Sequence, residues 1–143
     1  MPLFSQDKKV AALKSAPLFA DLSRRELSEL AKVTEDVDFD TGKVLCSEGQ
    51  TGHEFFVIME GEVEVTRRGK KLATGGSGEF FGEIALVENL PRTATVTAQT
   101  PIRSFVLTRR SFLRLLDEQP RVERKVMRAL ARRLVSVSDD LSL

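Results

Sequence analysis

Between Gly78 and Val96 the chain reads GEFFGEIALVENLPRTATV, and three residue types in that stretch could act together on one ligand. Gly82 opens a turn ahead of Glu83-Ile84-Ala85-Leu86, which has the composition of a short helix. The first N–H groups of a helix lack internal partners and carry partial positive charge. An anion can therefore bind there without help from a side chain, and a glycine lets it come close to the backbone. Arg92 follows, beyond Pro91; a guanidinium fork can place two parallel hydrogen bonds on a phosphate. Glu83 has the wrong sign for a phosphate but can accept from a hydroxyl such as a sugar 2′-OH. One helix N-terminus, one arginine and one carboxylate match a nucleotide sugar-phosphate. A Glu83–Arg92 ion pair beside a turn glycine accounts for the same spacing equally well.

Other chemistries find little support. The sequence has one His and one Cys, His53 and Cys46, whereas a metal site needs several ligands. With His53 in a glycine-rich turn, no Ser–His–acid arrangement is credible, so no catalytic residue and no metal are expected. Trp and Tyr are absent and there are nine Phe, so a base-stacking site must use Phe or Arg. The net charge of +1 argues against bulk attraction to nucleic acid or anionic membrane. No apolar run approaches the roughly 20 residues that span a bilayer, and MPLFSQDKKVAALKSAP lacks the apolar segment of a signal peptide. A lone cysteine forms no internal disulfide, which fits a reducing cytoplasm.

At 143 residues, with 41% hydrophobic and 30% charged residues, the chain suits one domain around one core. Phe4–Lys14 reads as a short helix, broken at Pro17. Ser23-Arg24-Arg25-Glu26 is a capping box, with Leu22 placed to staple onto the following helix, whose apolar face is Leu27, Leu30, Ala31 and Val33. From Glu35 the apolar period changes from about 3.6 to 2. Strands are expected at Val37–Phe39, Val44–Cys46, Glu54–Met59, Val63–Thr66, Lys71–Thr74, Thr93–Gln99 and Ile102–Leu107, separated by glycine-bearing turns. Short strands at this spacing indicate an antiparallel sandwich or barrel. Thr108 can cap a helix over Arg109–Glu118, and Pro120 suits the start of another, Arg121–Leu141. On a wheel at about 100° per residue, Val122, Val126, Leu130, Leu134, Val137 and Leu141 form one stripe. Arg121, Arg124, Lys125, Arg128 and Arg132 lie opposite, as a solvated face, and Arg133 falls at the flank of the stripe. The stripe can pack on its own domain or against a second copy.

Gly61, Gly69, FGEIAL (Phe81–Leu86) and PRTATV (Pro91–Val96) together resemble a cyclic-nucleotide-binding domain, the module of protein kinase A regulatory subunits, cyclic-nucleotide-gated channels and the bacterial catabolite activator protein. The resemblance runs from about Leu18 to about Leu141. It implies an α+β, mainly β fold: an antiparallel double-stranded β-helix or jelly-roll barrel (35–108), N-terminal helices (1–34) and C-terminal helices (109–141), the last a long lid, making residues 1–143 a single domain. It implies that Arg92, Thr93 and the backbone at Ala85 hold the cyclic phosphate, and that Gly82 and Glu83 hold the ribose. Val63, Val65, Phe81 and Ile84 would line the wall toward sugar and base. The implied function is non-catalytic binding of cAMP or cGMP by a cytoplasmic regulatory module, with no other cofactor.

Some family members cap the purine with an aromatic residue. Here no Phe lies beyond Phe112, so Arg133 is the candidate, because guanidinium stacks on flat rings; a solvated flanking arginine is the alternative. Thr93 could bond the phosphate or a guanine amino group, weak evidence for cGMP against the favoured cAMP. A transcription factor would need a DNA-binding unit after the long helix, and the chain stops at Leu143 without room for one, so no direct nucleic-acid contact is expected. An effector domain or protein contacting the C-terminal helix is the expected output, from a monomer or from a homodimer through that helix. Two rivals remain: the ligand domain of a larger transcription factor, channel or enzyme, and a degenerate domain used for protein contacts alone.

Overall fold

A computed structural model describes residues 6–82 and 91–137, the last four by their backbone only. Helix α1 (Gln6–Ser15) gives way to a single 3-10 turn at Pro17–Phe19, where Pro17 cannot continue a helix. Helix α2 (Arg24–Val33) begins at the expected capping box: Ser23 Oγ accepts from Glu26 N at 3.2 Å, and Ser23 N donates to Glu26 Oε1 at 2.8 Å. Eight strands follow: β1 (Glu35–Phe39), β2 (Val44–Cys46), β3 (Glu54–Glu60), β4 (Val63–Arg67), β5 (Lys70–Gly75), β6 (Phe80–Phe81), β7 (Thr95–Ala98) and β8 (Ile102–Thr108). Helices α3 (Arg109–Glu118) and α4 (Pro120–Val137) complete the described chain. Thr108 Oγ1 caps α3 by accepting from Ser111 N at 3.1 Å.

The strands form two antiparallel four-stranded sheets, ordered β1-β8-β3-β6 and β2-β7-β4-β5. This is the jelly-roll expected, with one correction: the sheets are not closed into a barrel. No strand among the described residues hydrogen-bonds into both sheets, so side chains join them. Cys46, Phe56, Ile58, Val63, Phe81, Val96 and Val106 fill the space between the sheets. A second core lies between the first sheet and the helices, where Phe55, Val57, Phe105 and Leu107 meet Leu13, Phe19, Leu27, Phe112, Val122 and Val126.

These two cores explain the unbroken apolar run of β3. Successive strand residues face opposite sides. Phe55 and Val57 serve the helical core while Phe56 and Ile58 serve the inter-sheet core, all at 2% exposure or less. Phe55 stacks on Phe112 of α3 at 4.2 Å between centroids. On the second sheet, β5 is exposed from Lys70 to Thr74. Strand β6 was not expected from sequence. Two residues carry no readable period, and the strand exists because Phe80 and Phe81 pair with Val57 and Phe56.

Candidate functional site

The site is built by β6 and by the chain entering β7. Pairing of Phe81 with Phe56 carries Gly82 to the beginning of β3, beside Glu54. On the other side, Thr51 and Pro91 form an isolated antiparallel bridge. Arg92 N donates to Gln50 O at 2.9 Å, and Gly49 N donates to Arg92 O at 2.8 Å. The Arg92 backbone is thus fixed by the turn preceding β3, and Gly49 supports that turn with φ +81°.

From there the Arg92 side chain runs inward and is only 7% exposed. Its guanidinium donates through Nη2 to Glu54 O at 2.7 Å and through Nη1 to Gly82 O at 3.1 Å. No carboxylate lies within ion-pair distance of it among the described residues. These two carbonyls take two of the five N–H groups that a guanidinium carries. Gly82 has φ +101°, and a Cβ there would come within 2.5 Å of Arg92 Nη1 and 2.7 Å of Glu54 O. The glycine is required both by backbone conformation and by the approach of the arginine. The spacing had offered Gly82 as a place for an anion to approach; here its carbonyl also seats the arginine.

Phe81 is 7% exposed and sits between the sheets with Val63, which is wholly buried. Val65, two residues further along β4, is half-buried against the same core and leaves part of its surface accessible. Thr93 is exposed next to Arg92. Arg133 is brought to this end of the molecule by α4. Its guanidinium lies 5.1 Å from the centroids of both Phe80 and Phe81 and donates through Nη2 to Phe80 O. Arg92, Gly82, Phe81 and Arg133 therefore share one neighbourhood around β6. Glu83, Ile84 and Ala85 lie outside the described residues.

Reading the sequence missed Glu54 and Gly52. Glu54 contributes a carbonyl, which no side-chain pattern records. Gly52 looked like one more turn glycine, yet a Cβ there would overlap Arg92 Nε, Cζ and Nη2.

Elsewhere the chemistry is sparse. Cys46 is buried and unbridged, and among the described residues no three His, Cys, Asp or Glu gather to hold a metal. A groove of about 300 Å³ lies between α2 and α3, lined by Leu22, Leu30, Leu115 and the Arg114–Glu118 pair. None of the residues around Arg92 takes part in it. Among the described residues no helix is long and apolar enough to cross a membrane.

Residues 36–119 match the family described as cyclic nucleotide-binding domain. The chain belongs to that family. This cyclic nucleotide-binding domain is 39% identical over 106 residues to a cAMP-dependent protein kinase regulatory subunit of Yarrowia lipolytica, covering 73% of this chain and 28% of the relative. It is 28% identical over 135 residues to a CRP-like cAMP-activated global transcriptional regulator of Mycobacterium tuberculosis, covering 91% of this chain and 60% of the regulator. Among solved structures, cAMP-bound PfPKA-R superposes with a TM-score of 0.86 at 27% identity, over 94% of this chain and 46% of that one. The chain spans about a quarter of the length of the kinase regulatory subunits it matches. The two curated relatives are regulatory proteins by name, and the solved structure shares the jelly-roll with its flanking helices.

Proposed function

We propose that this chain binds a cyclic nucleoside monophosphate, cAMP in preference to cGMP, as a non-catalytic regulatory module of the cytoplasm. The observation that carries the reading is Arg92: a buried guanidinium, seated on Gly82 O and Glu54 O, with no ion pair among the described residues. Burying a cation is costly unless dipoles, a counter-charge or a ligand compensate it. The names of the relatives, which specify cAMP, favour that nucleotide.

In this mechanism the cyclic phosphate enters beside Arg92, with Thr93 and the backbone at Ala85 as further donors, while Gly82 and Glu83 take the ribose. Phe81 and Val65, beside buried Val63, form the apolar side together with Ile84 as the family resemblance implies, and Arg133 stacks on the base. Its place 5.1 Å from the centroids of Phe80 and Phe81 supports that last role, because the guanidinium already lies against flat rings. Arg133 and Gly82 attach to the same short strand, so a ligand touching both couples the cradle to α4. Binding shifts α4 only by the difference in affinity between its two positions.

The output passes through α4 to an effector domain or protein. Val122 and Val126 are buried in the core of their own domain, which favours a monomer over a homodimer zipped along that half of the stripe. The exposed residues Arg124, Met127 and Arg128 are the ones available to a partner.

The test is calorimetry with cAMP and cGMP on the wild type and Arg92→Ala. The phosphate loses at least two charge-assisted hydrogen bonds at about 1.5 kcal/mol or more each, about a hundred-fold in affinity. Absence of binding to the wild type at millimolar nucleotide refutes the function, and undiminished binding by Arg92→Ala refutes the phosphate assignment.

A further inference from the structure

We infer that Gly52 is a positioning residue for Arg92: its missing side chain is the space that holds the guanidinium in a fixed orientation before ligand arrives. The inference rests on the reading of Arg92 as the phosphate ligand and adds to it how that arginine is aimed.

Glycines in this chain are required for different reasons. Gly49 has φ +81° and nothing within 4 Å of a built Cβ, so its backbone alone demands glycine. Gly82 has both a positive φ and a close approach. Gly52 is the complementary case. Its φ is not in the left-handed region, so an alanine backbone fits without strain. The three atoms nearest a Cβ there are nevertheless Nε, Cζ and Nη2 of Arg92. What excludes a side chain at this position is the arginine, not the turn.

The seat cannot follow a displaced guanidinium. Glu54 is paired with Thr108 at the start of the β3–β8 ladder, and Gly82 comes directly after Phe81, which is paired with Phe56. Both acceptor carbonyls therefore belong to backbone fixed by the sheet. A methyl group at Gly52 forces Nη1 and Nη2 off these carbonyls, and the fork loses its direction while the charge remains. An arginine ordered before binding spares the ligand the entropy of ordering it. An arginine without its seat does not.

The experiment compares the ligand-free wild type with Gly52→Ala by ¹⁵N NMR of the arginine side chains, then titrates both with cAMP. In the wild type the Arg92 N–H groups are expected to be protected from exchange, and in Gly52→Ala they are expected to exchange like those of a free arginine. Affinity for cAMP is expected to fall about ten-fold or more. In an Arg92→Ala background the same Gly52→Ala change is expected to alter affinity by less than about two-fold, because the group it displaces is gone. Unchanged Arg92 signals in Gly52→Ala refute the seat. Changed signals with undiminished affinity refute its role in positioning. A wild type that does not bind cAMP refutes the functional reading and the positioning role with it, while the NMR comparison still measures the seat. If Gly52→Ala alone does not fold, the double variant with Arg92→Ala must; failure of that variant also overturns the inference.

Discussion

Replacing Arg133 by alanine should loosen the far end of α4 while leaving its beginning intact. The helix is anchored near its start by Val122 and Val126, at 1% and 2% exposure, and less firmly by the partly buried Leu130. Beyond Leu130, Arg133 joins the helix to β6 through Phe80 O and the rings of Phe80 and Phe81. Each cation–π contact at a part-exposed site contributes about 0.5–1 kcal/mol, and a hydrogen bond from a charged donor about 1.5–3 kcal/mol. Immobilising the long side chain opposes them by up to about 2 kcal/mol. The difference is about 0.5–3 kcal/mol. At 1.4 kcal/mol per factor of ten, local opening becomes about 2- to 150-fold more frequent. Amide hydrogen exchange under native conditions reads this directly. Residues 131–137 should lose protection by that factor, whereas those around Val122 should not. Arg133→Lys should fall between, because an ammonium keeps charge but cannot spread over two rings. Protection across 131–137 unchanged within about two-fold would show that the β6 contact does not hold the helix, and with it the coupling between cradle and lid would fall.

Removing the α2 capping box by Ser23→Ala should cost about 1 kcal/mol and lower the thermal midpoint by a few degrees, measured by calorimetry. Unfolding should also respond to acid through two carboxylates. Asp21 is held below its usual 3.8 by the hydrogen bond and charge of Lys125, which lies 2.9 Å away. Glu26 is held below 4.5 by its bond from the Ser23 backbone and next by Gln119. Both folded values are depressed, so both contributions are complete above the unfolded values and disappear as the pH falls through the folded ones. The midpoints of the wild type and Asp21→Asn should differ most above pH 3.8 and converge as the pH falls from there through the lower folded value; a difference that does not shrink over that fall would contradict the assignment.

Much of this structure could be read in the chain. Ser23 and Glu26 announce a helix because the capping box is a local exchange of two hydrogen bonds. Thr108 and Pro120 announce two more for equally local reasons. The run Glu54–Met59 announces a buried strand, and the structure divides its residues between two cores. Elements whose cause is distant were less legible. Two residues of β6 carry no period, and an open pair of sheets differs from a closed barrel only in where edge strands find partners. Side-chain patterns are silent about backbone carbonyls, so Glu54 was invisible as a partner of Arg92.

The sequence by itself determined that an arginine and a glycine stand ten residues apart, among the short strands of an antiparallel sandwich or barrel flanked by helices. It left open whether Arg92 pairs with an acid or awaits a ligand, and whether Arg133 points to water. Tertiary structure decided where each guanidinium lies, because sheet pairing alone brings Glu54 O and Gly82 O together beneath Arg92 and places Phe80 and Phe81 beneath Arg133. Spacing along a chain fixes which groups are near in sequence; only the pairing of strands fixes which backbone dipoles converge on a charge.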